Sequence, residues 1–326
     1  MTSSPGERVL VTRPLERAWL EPLHAAGLTV DVVSADEIGD SAALRSRAAG
    51  AAALLVVLGD RVDAALLDAA GSGLRVVATI SVGVDHIDLE ACRARGVRVA
   101  NTPDVLTDAT ADLAMTLLLA LTRRVREGEA LVRCGGWQGW EPGQLLGRDI
   151  KGARVLVVGA GRIGGAFAQR VHAFGARVAY HGRSPRPALE DALGACYEPD
   201  LDTALGRADV VSLHAPLTPE TRHLLDARRL ALLPPRAIVI NTGRGPLIDE
   251  HALVAALRSG ALWGAGLDVY EHEPRIHPGL AELPNVVLLP HLGSATEDTR
   301  AAMAKLATDA IVSTLRGEHS GDPGDG

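Results

Sequence analysis

Short apolar runs separated by amphipathic stretches recur along the whole chain. Arg8 to Thr12 (RVLVT) predicts a first strand, Trp19 to Ala26 a helix, Thr29 to Val33 a second strand and Ala53 to Leu58 a third. Leu74 to Ile80 (LRVVATI) and Val97 to Ala100 follow as strands. Strands alternating with helical stretches predict a parallel sheet with crossover helices. Residues 1–101 therefore read as a small doubly wound unit.

The pattern breaks at Asn101-Thr102-Pro103, because proline disfavours helix at the residue before it. From Thr107 to about Val132 an apolar period predicts one long helix that crosses into a second unit. Arg133 to Gln144 is a Gly-rich loop carrying Trp137 and Trp140, two of the four tryptophans in the chain. Either these rings pack at a domain or subunit seam, or Trp140 helps to close a small-molecule site; both uses suit a large ring with one polar edge. Strands follow at Val155–Val158, Arg177–Tyr180, Val210–Leu213, Ile238–Asn241, Gly264–Val269 and Val286–Leu289, and a last helix at Thr296–Leu315. The tail after Arg316 is polar and Gly-rich and reads as disordered.

Composition narrows the class. The 326 residues suffice for two domains, and 47% hydrophobic residues suffice for large cores. No apolar run is long and clean enough to span a bilayer. No basic segment precedes an apolar one at the N-terminus, so no secretory signal is read and a cytoplasmic protein is expected. Cys92, Cys134 and Cys196 are odd in number and widely spaced, which points to a reducing compartment rather than to disulfides or a zinc knuckle. A net charge of −7 with both signs interspersed argues against a nucleic-acid binder. No metal-ligand spacing such as His-Glu-x-x-His occurs.

One stretch carries chemistry outright. Val155–Val158 runs into Gly159, Gly161 and Gly164 in G-x-G-x-x-G spacing, and a helical pattern follows. The first glycine permits the tight turn, the second lets the backbone approach a pyrophosphate, and the third lets helix and strand pack closely. The free N–H groups at the helix start attract the phosphate. An NAD-type site places an acid about 20 residues further on. Here the next strand ends in His181-Gly182-Arg183-Ser184, with no carboxylate. Arg183 suits a 2′-phosphate, so NADP(H) is expected, with NAD(H) as the alternative.

The remaining strand ends present His214, then Arg244, Asp268 and His291. Arg244, Glu273 and His291 form a set able to reduce a 2-keto acid. Arg forks onto a carboxylate, His gives a proton near neutral pH, and an acid on the other imidazole nitrogen orients it and favours its charged form. Glu271 competes with Glu273 for the last role. Ser81-Val82-Gly83-Val84 also follows a strand end; its amides could hold a carboxylate, or it is a plain loop.

Taken together, SVGVDHID, NTPDVLTDATADLA, GRIGG, HAPLTPET, NTGRGPLIDE, GLDVYEHEP and LPHLGSAT resemble the D-isomer-specific 2-hydroxyacid dehydrogenase family from about Leu54 to Thr296. Within it, GGWQGWEP and HGRSPRP are similar to glyoxylate/hydroxypyruvate reductases that prefer NADPH. The resemblance implies two Rossmann-like doubly wound domains with a cleft between them. Residues 1–101 with 292–326 would be the substrate-binding, flavodoxin-like domain, and 102–291 the dinucleotide domain. It implies Arg244 as the substrate-binding arginine, His291 as proton donor and Glu273, not Glu271, as its partner. Val82 and Gly83 match the backbone that holds the substrate, Arg162 and Ile163 the pyrophosphate turn, and Arg183 and Ser184 the ribose end. Thr110, Pro216, Thr221, Thr242 and Asp268 match positions near the ribose or nicotinamide, with His214 and Ser294 also beside the cofactor. Members are usually homodimers joined through the nucleotide domain, acting on a small 2-keto acid. Gly165 and His181 depart from the pattern, and His181 replaces the acid of NAD-preferring members. Two other classes share the scaffold: dinucleotide-sensing corepressors, which carry long peptide-binding extensions, and formate or phosphite dehydrogenases. Formate enzymes usually carry Gln where Glu273 stands.

Overall fold

In the computed structural model, residues 6–318 are described, and the chain divides into two compact units. One comprises residues 1–106 and 296–326, the other 107–295. The divisions fall where helices begin, at Thr107 and at the Thr296 cap, rather than at Asn101 and His291. The last eight residues of the expected disordered tail lie outside the described residues.

The first unit is built on β1 (Arg8–Val11), β2 (Thr29–Val32), β3 (Ala53–Val56), β4 (Val76–Thr79) and β5 (Arg98–Ala100). They form one parallel sheet in the order β2-β1-β3-β4-β5. Every residue of β3 and β4 is buried, as central parallel strands require. Leu10, Leu54, Val56 and Val77 join one core cluster with Leu66 and Leu67. The helix Glu297–Leu315 packs against β3, β4 and the helix Arg17–Ala25. Aspartates start many of the helices: Asp40, Asp63 and Asp88 each accept a hydrogen bond from a first-turn amide, satisfying groups that have no partner inside the helix.

The second unit contains β6 (Arg154–Val158), β7 (Arg177–His181), β8 (Cys196–Tyr197), β9 (Val210–Leu213), β10 (Ala237–Asn241), β11 (Leu262–Leu267) and β12 (Val286–Leu288). All seven are parallel, in the order β12-β11-β10-β9-β6-β7-β8. Leu156 and Val158 of β6 enter one core cluster, and Val155 and Val157 enter the other, so the sheet is covered on both faces. From β6 the chain runs outward through β7 and β8, then returns to lay down β9 to β12 on the other side. The switch point therefore lies between β6 and β9, where open sheets of this kind bind ligands.

One expectation needs correcting, and one strand goes unannounced in the sequence. The long helix from Thr107 to about Val132 is two helices, Thr107–Thr122 and Val125–Arg133. The Thr122 carbonyl accepts the Arg148 amide at 2.8 Å. Arg124 turns left-handed (φ 51°), and its guanidinium pairs with Glu127 at 2.6 Å. The edge strand β8, only two residues long, has no apolar run to announce it.

Candidate active site

Because β12, β11, β10, β9 and β6 are neighbours and parallel, their carboxyl ends form one edge. Along that edge the chain places His291, Asp268, Arg244, His214 and Gly159. His291 Nδ1 lies 2.9 Å from Glu273 Oε2. The other Glu273 oxygen accepts the Tyr270 amide at 3.0 Å. Burial pushes the Glu273 carboxyl up. The His291 bond and charge, the Tyr270 amide and the Arg244 charge outweigh it and hold the group below its usual value. Glu271 is excluded as the partner, since its carboxylate takes His223 Nε2 at 2.6 Å and Arg222 at 3.1 Å.

Asp268 is fully buried and organises the segment after β12. Its carbonyl accepts the His291 amide at 2.9 Å. Its carboxylate accepts the Leu292 amide at 2.6 Å and the Gly293 amide at 2.8 Å. Burial raises its carboxyl above the usual value, and these two amides and the His291 charge oppose that rise. A side chain on Gly293 would meet both Asp268 and Thr110 at 3.3 Å, so these three positions converge, with Ser294 next in the chain.

The residues after β6 fit a dinucleotide. Gly159 has φ 91°, and a Cβ there would lie 2.6 Å from the Ala215 nitrogen. A Cβ on Gly164 would lie 2.2 Å from the Gly159 carbonyl oxygen. Nothing stands within 4 Å of a Cβ on Gly161, so the face a pyrophosphate would approach is open. Gly161 caps the helix Arg162–Ala173 without a side-chain bond, and the first turn of that helix starts directly after the glycine loop. The Thr242 hydroxyl is buried and has no hydrogen-bond partner, as expected of a group that waits for a ligand. Arg183 and Ser184 are exposed at the tip of β7. Arg186, absent from the expected set, lies exposed on the same tip, and neither arginine has an ion-pair partner among the described residues.

Other expected residues have mixed placements. The His214 Nε2 lies 2.8 Å from Ser212 Oγ, and its ring packs on Phe167 at 5.2 Å. Burial pushes its pKa down to about 3, so it is a neutral ring behind the glycine loop. The Thr221 hydroxyl closes its own turn, donating to the Pro216 carbonyl at 2.7 Å. Trp140 is 81% exposed and Trp137 54%. Arg244 donates to the Gly243 carbonyl at 2.9 Å.

In the first unit, Val82 and Gly83 follow β4. The Val82 carbonyl accepts Asn101 Nδ2 at 2.8 Å, and the Gly83 carbonyl accepts Ser81 Oγ at 2.7 Å. Ser81 is itself 2.8 Å from Thr79 Oγ1, which lies 3.0 Å from His86 Nε2. These polar side chains fix which way the peptide groups point. Sequence reasoning places Ser81 in the candidate stretch and Asn101 at a break but misses the hydrogen bonds that their side chains make.

Residues 115–293 match the model of the D-isomer specific 2-hydroxyacid dehydrogenase NAD-binding domain. The chain belongs to the D-isomer specific 2-hydroxyacid dehydrogenase family. Glyoxylate reductase from Thermococcus litoralis is 46% identical over 270 residues, 82% of this chain and 81% of that one. A solved protein from Thermus thermophilus is 49% identical, with TM-score 0.88 over 95% of this chain and 97% of that one. The NADPH-dependent glyoxylate/hydroxypyruvate reductase of Sinorhizobium meliloti, solved with NADP and malonate, is 37% identical, with TM-score 0.82 over 96% and 93% of the two chains. Membership makes this dehydrogenase an oxidoreductase with a nicotinamide dinucleotide cofactor. Among the described residues, no helix is long and apolar enough to cross a membrane, and no cluster of metal-ligating side chains occurs.

Proposed function

We propose that this dehydrogenase reduces a short 2-keto acid, glyoxylate or hydroxypyruvate, to the D-2-hydroxy acid with NADPH. The observation that carries this reading is the His291–Glu273 pair on the strand edge that also presents Arg244. Arg244 receives the substrate carboxylate on its planar fork. The Val82–Gly83 backbone, which matches the family's substrate-holding stretch, is proposed to bind substrate as well. Glu273 occupies Nδ1 of His291 and leaves Nε2–H to the substrate carbonyl oxygen. When bound, a reduced nicotinamide would be the source of the hydride that goes to the carbonyl carbon. His291 then gives its Nε2 proton to the oxygen, which becomes the hydroxyl, and is reprotonated from water. The relatives named as glyoxylate reductases support the choice of acid. The unpaired Arg183 and Arg186 support a 2′-phosphate.

We also propose a homodimer. Val125, Val132, Trp137, Trp140 and Leu146, all more than half exposed, lie on one helix and the loop after it. Clustered exposed apolar side chains of this size mark an interaction surface.

The test is loss of reduced-nicotinamide absorbance with purified protein, comparing NADPH and NADH with glyoxylate, hydroxypyruvate and pyruvate. Fast loss with NADPH and either of the first two acids is expected. Loss with NADH alone would discard the NADPH assignment. Binding of reduced cofactor without turnover on any acid would favour a dinucleotide sensor. Light scattering at assay concentration checks the dimer.

A further inference from the structure

We infer that Glu250 is a positioning residue whose carboxylate clamps the loop carrying Glu273 to the helix that follows Arg244. The inference rests on the proposed role of the His291–Glu273 pair. Glu250 opens the helix Glu250–Arg258 and is only 5% exposed. Carboxylates are seldom so buried unless paired. No cation pairs with this one among the described residues. Its Oε1 instead accepts the Glu271 amide at 2.8 Å and its Oε2 the His277 amide at 3.2 Å. The two amides bracket Glu273 in the chain.

The helix does not need this side chain as a cap. Asp249 already caps it, accepting the Ala252 amide at 3.1 Å. Glu250 points away, into the neighbouring loop. The contact between the two segments is tight beside it, since a Cβ on Gly245 would lie 1.8 Å from the Tyr270 carbonyl carbon. Tyr270 in turn donates its amide to Glu273. One carboxylate thus sets the register between the turn that bears Arg244 and the loop that bears Glu273. The loop has a second tie, from Glu271 to His223 and Arg222, so it keeps its fold without Glu250 and loses only its placement. The charged and titratable groups facing Glu273 and His291 are Asp268 and Tyr270 after β11 and Arg244 after β10, with Glu250 beyond Tyr270.

The experiment compares wild type, Glu250→Ala, Glu250→Gln and Glu273→Gln. Misplacement of a reacting group by about 1 Å can cost about a hundredfold. Glu250→Ala is therefore expected to lower kcat by about 10- to 100-fold. Its rate should also fall off at a lower pH than the wild type's, as Glu273→Gln should, while the NADPH dissociation constant stays within about twofold. Glu250→Gln keeps one acceptor and should lie between. An unchanged pH profile in Glu250→Ala, or an even loss at all pH with weakened NADPH binding, would overturn the inference. If Glu273→Gln behaves as wild type, the proposed pair fails instead. Hydrogen exchange at the Glu271 and His277 amides then decides the clamp on its own. Loss of protection in Glu250→Ala supports it, and unchanged protection overturns it.

Discussion

His291 Nδ1 meets Glu273 Oε2 at 2.9 Å although the two side chains follow different strands, and His291 adopts a left-handed backbone to do so (φ 56°). That region is uncommon for a residue with a Cβ and costs on the order of 1 kcal/mol or more. The hydrogen bond from the His291 amide to the Asp268 carbonyl holds it there. His291→Ala should lower kcat by about 10²–10⁴-fold while NADPH still binds. Glu273→Gln removes the negative charge beside His291 Nδ1, and reduction should fail at lower pH than in wild type. Steady-state rates across pH, with cofactor fluorescence for binding, check both.

Arg183 is exposed at the tip of β7 and has no ion-pair partner among the described residues. Arg183→Ala should raise the KM for NADPH by about tenfold and leave that for NADH nearly unchanged, since a charge-assisted phosphate contact is worth roughly 1.5–3 kcal/mol. Equal effects on the two cofactors would remove the 2′-phosphate assignment.

Asn101 holds the Val82 carbonyl at 2.8 Å. With Asn101→Ala that peptide can turn, and its N–H loses a fixed direction. The expected result is a KM for the keto acid raised by about 5- to 10-fold, from about one lost hydrogen bond, with NADPH binding unaffected. Initial rates against substrate concentration measure it.

His214 ties acid stability to the ring behind the glycine loop. Burial takes it from 6.5 down to about 3. The unfolded chain gains a proton as pH falls through about 6.5, and the folded chain does not until about 3. Stability therefore falls with pH across that interval, by about 1.4 kcal/mol per unit from this group. His214→Gln should show a shallower loss of Tm between about pH 6.5 and about pH 5, above the range where carboxylates titrate. Calorimetric scans at matched ionic strength would show it, and parallel slopes would contradict it.

The strands were legible because Ala53–Val56 and Val155–Val158 are buried on both faces and so carry unbroken apolar runs. The break after Thr122 was not. Apolar residues continue on either side of it, and a distant amide, Arg148, ends the first helix. The strand-end positions of Arg244, His291 and Asp268 follow from the same apolar runs. Glu271 and Glu273 look alike in sequence, and only their partners in space separate them. The work of Ser81 and Asn101 depends on which way two carbonyls point, and no residue pattern encodes that.

The contact between Gly164 and the Gly159 carbonyl has a consequence for descent. A Cβ at residue 164 would push the helix Arg162–Ala173 off β6 whether or not a nucleotide is bound. A descendant that had abandoned redox chemistry would still be selected to keep this glycine, merely to stay folded. The glycine fingerprint would outlive the enzyme, and mutational drift would appear first at His291 and Arg244, where the architecture makes no such demand.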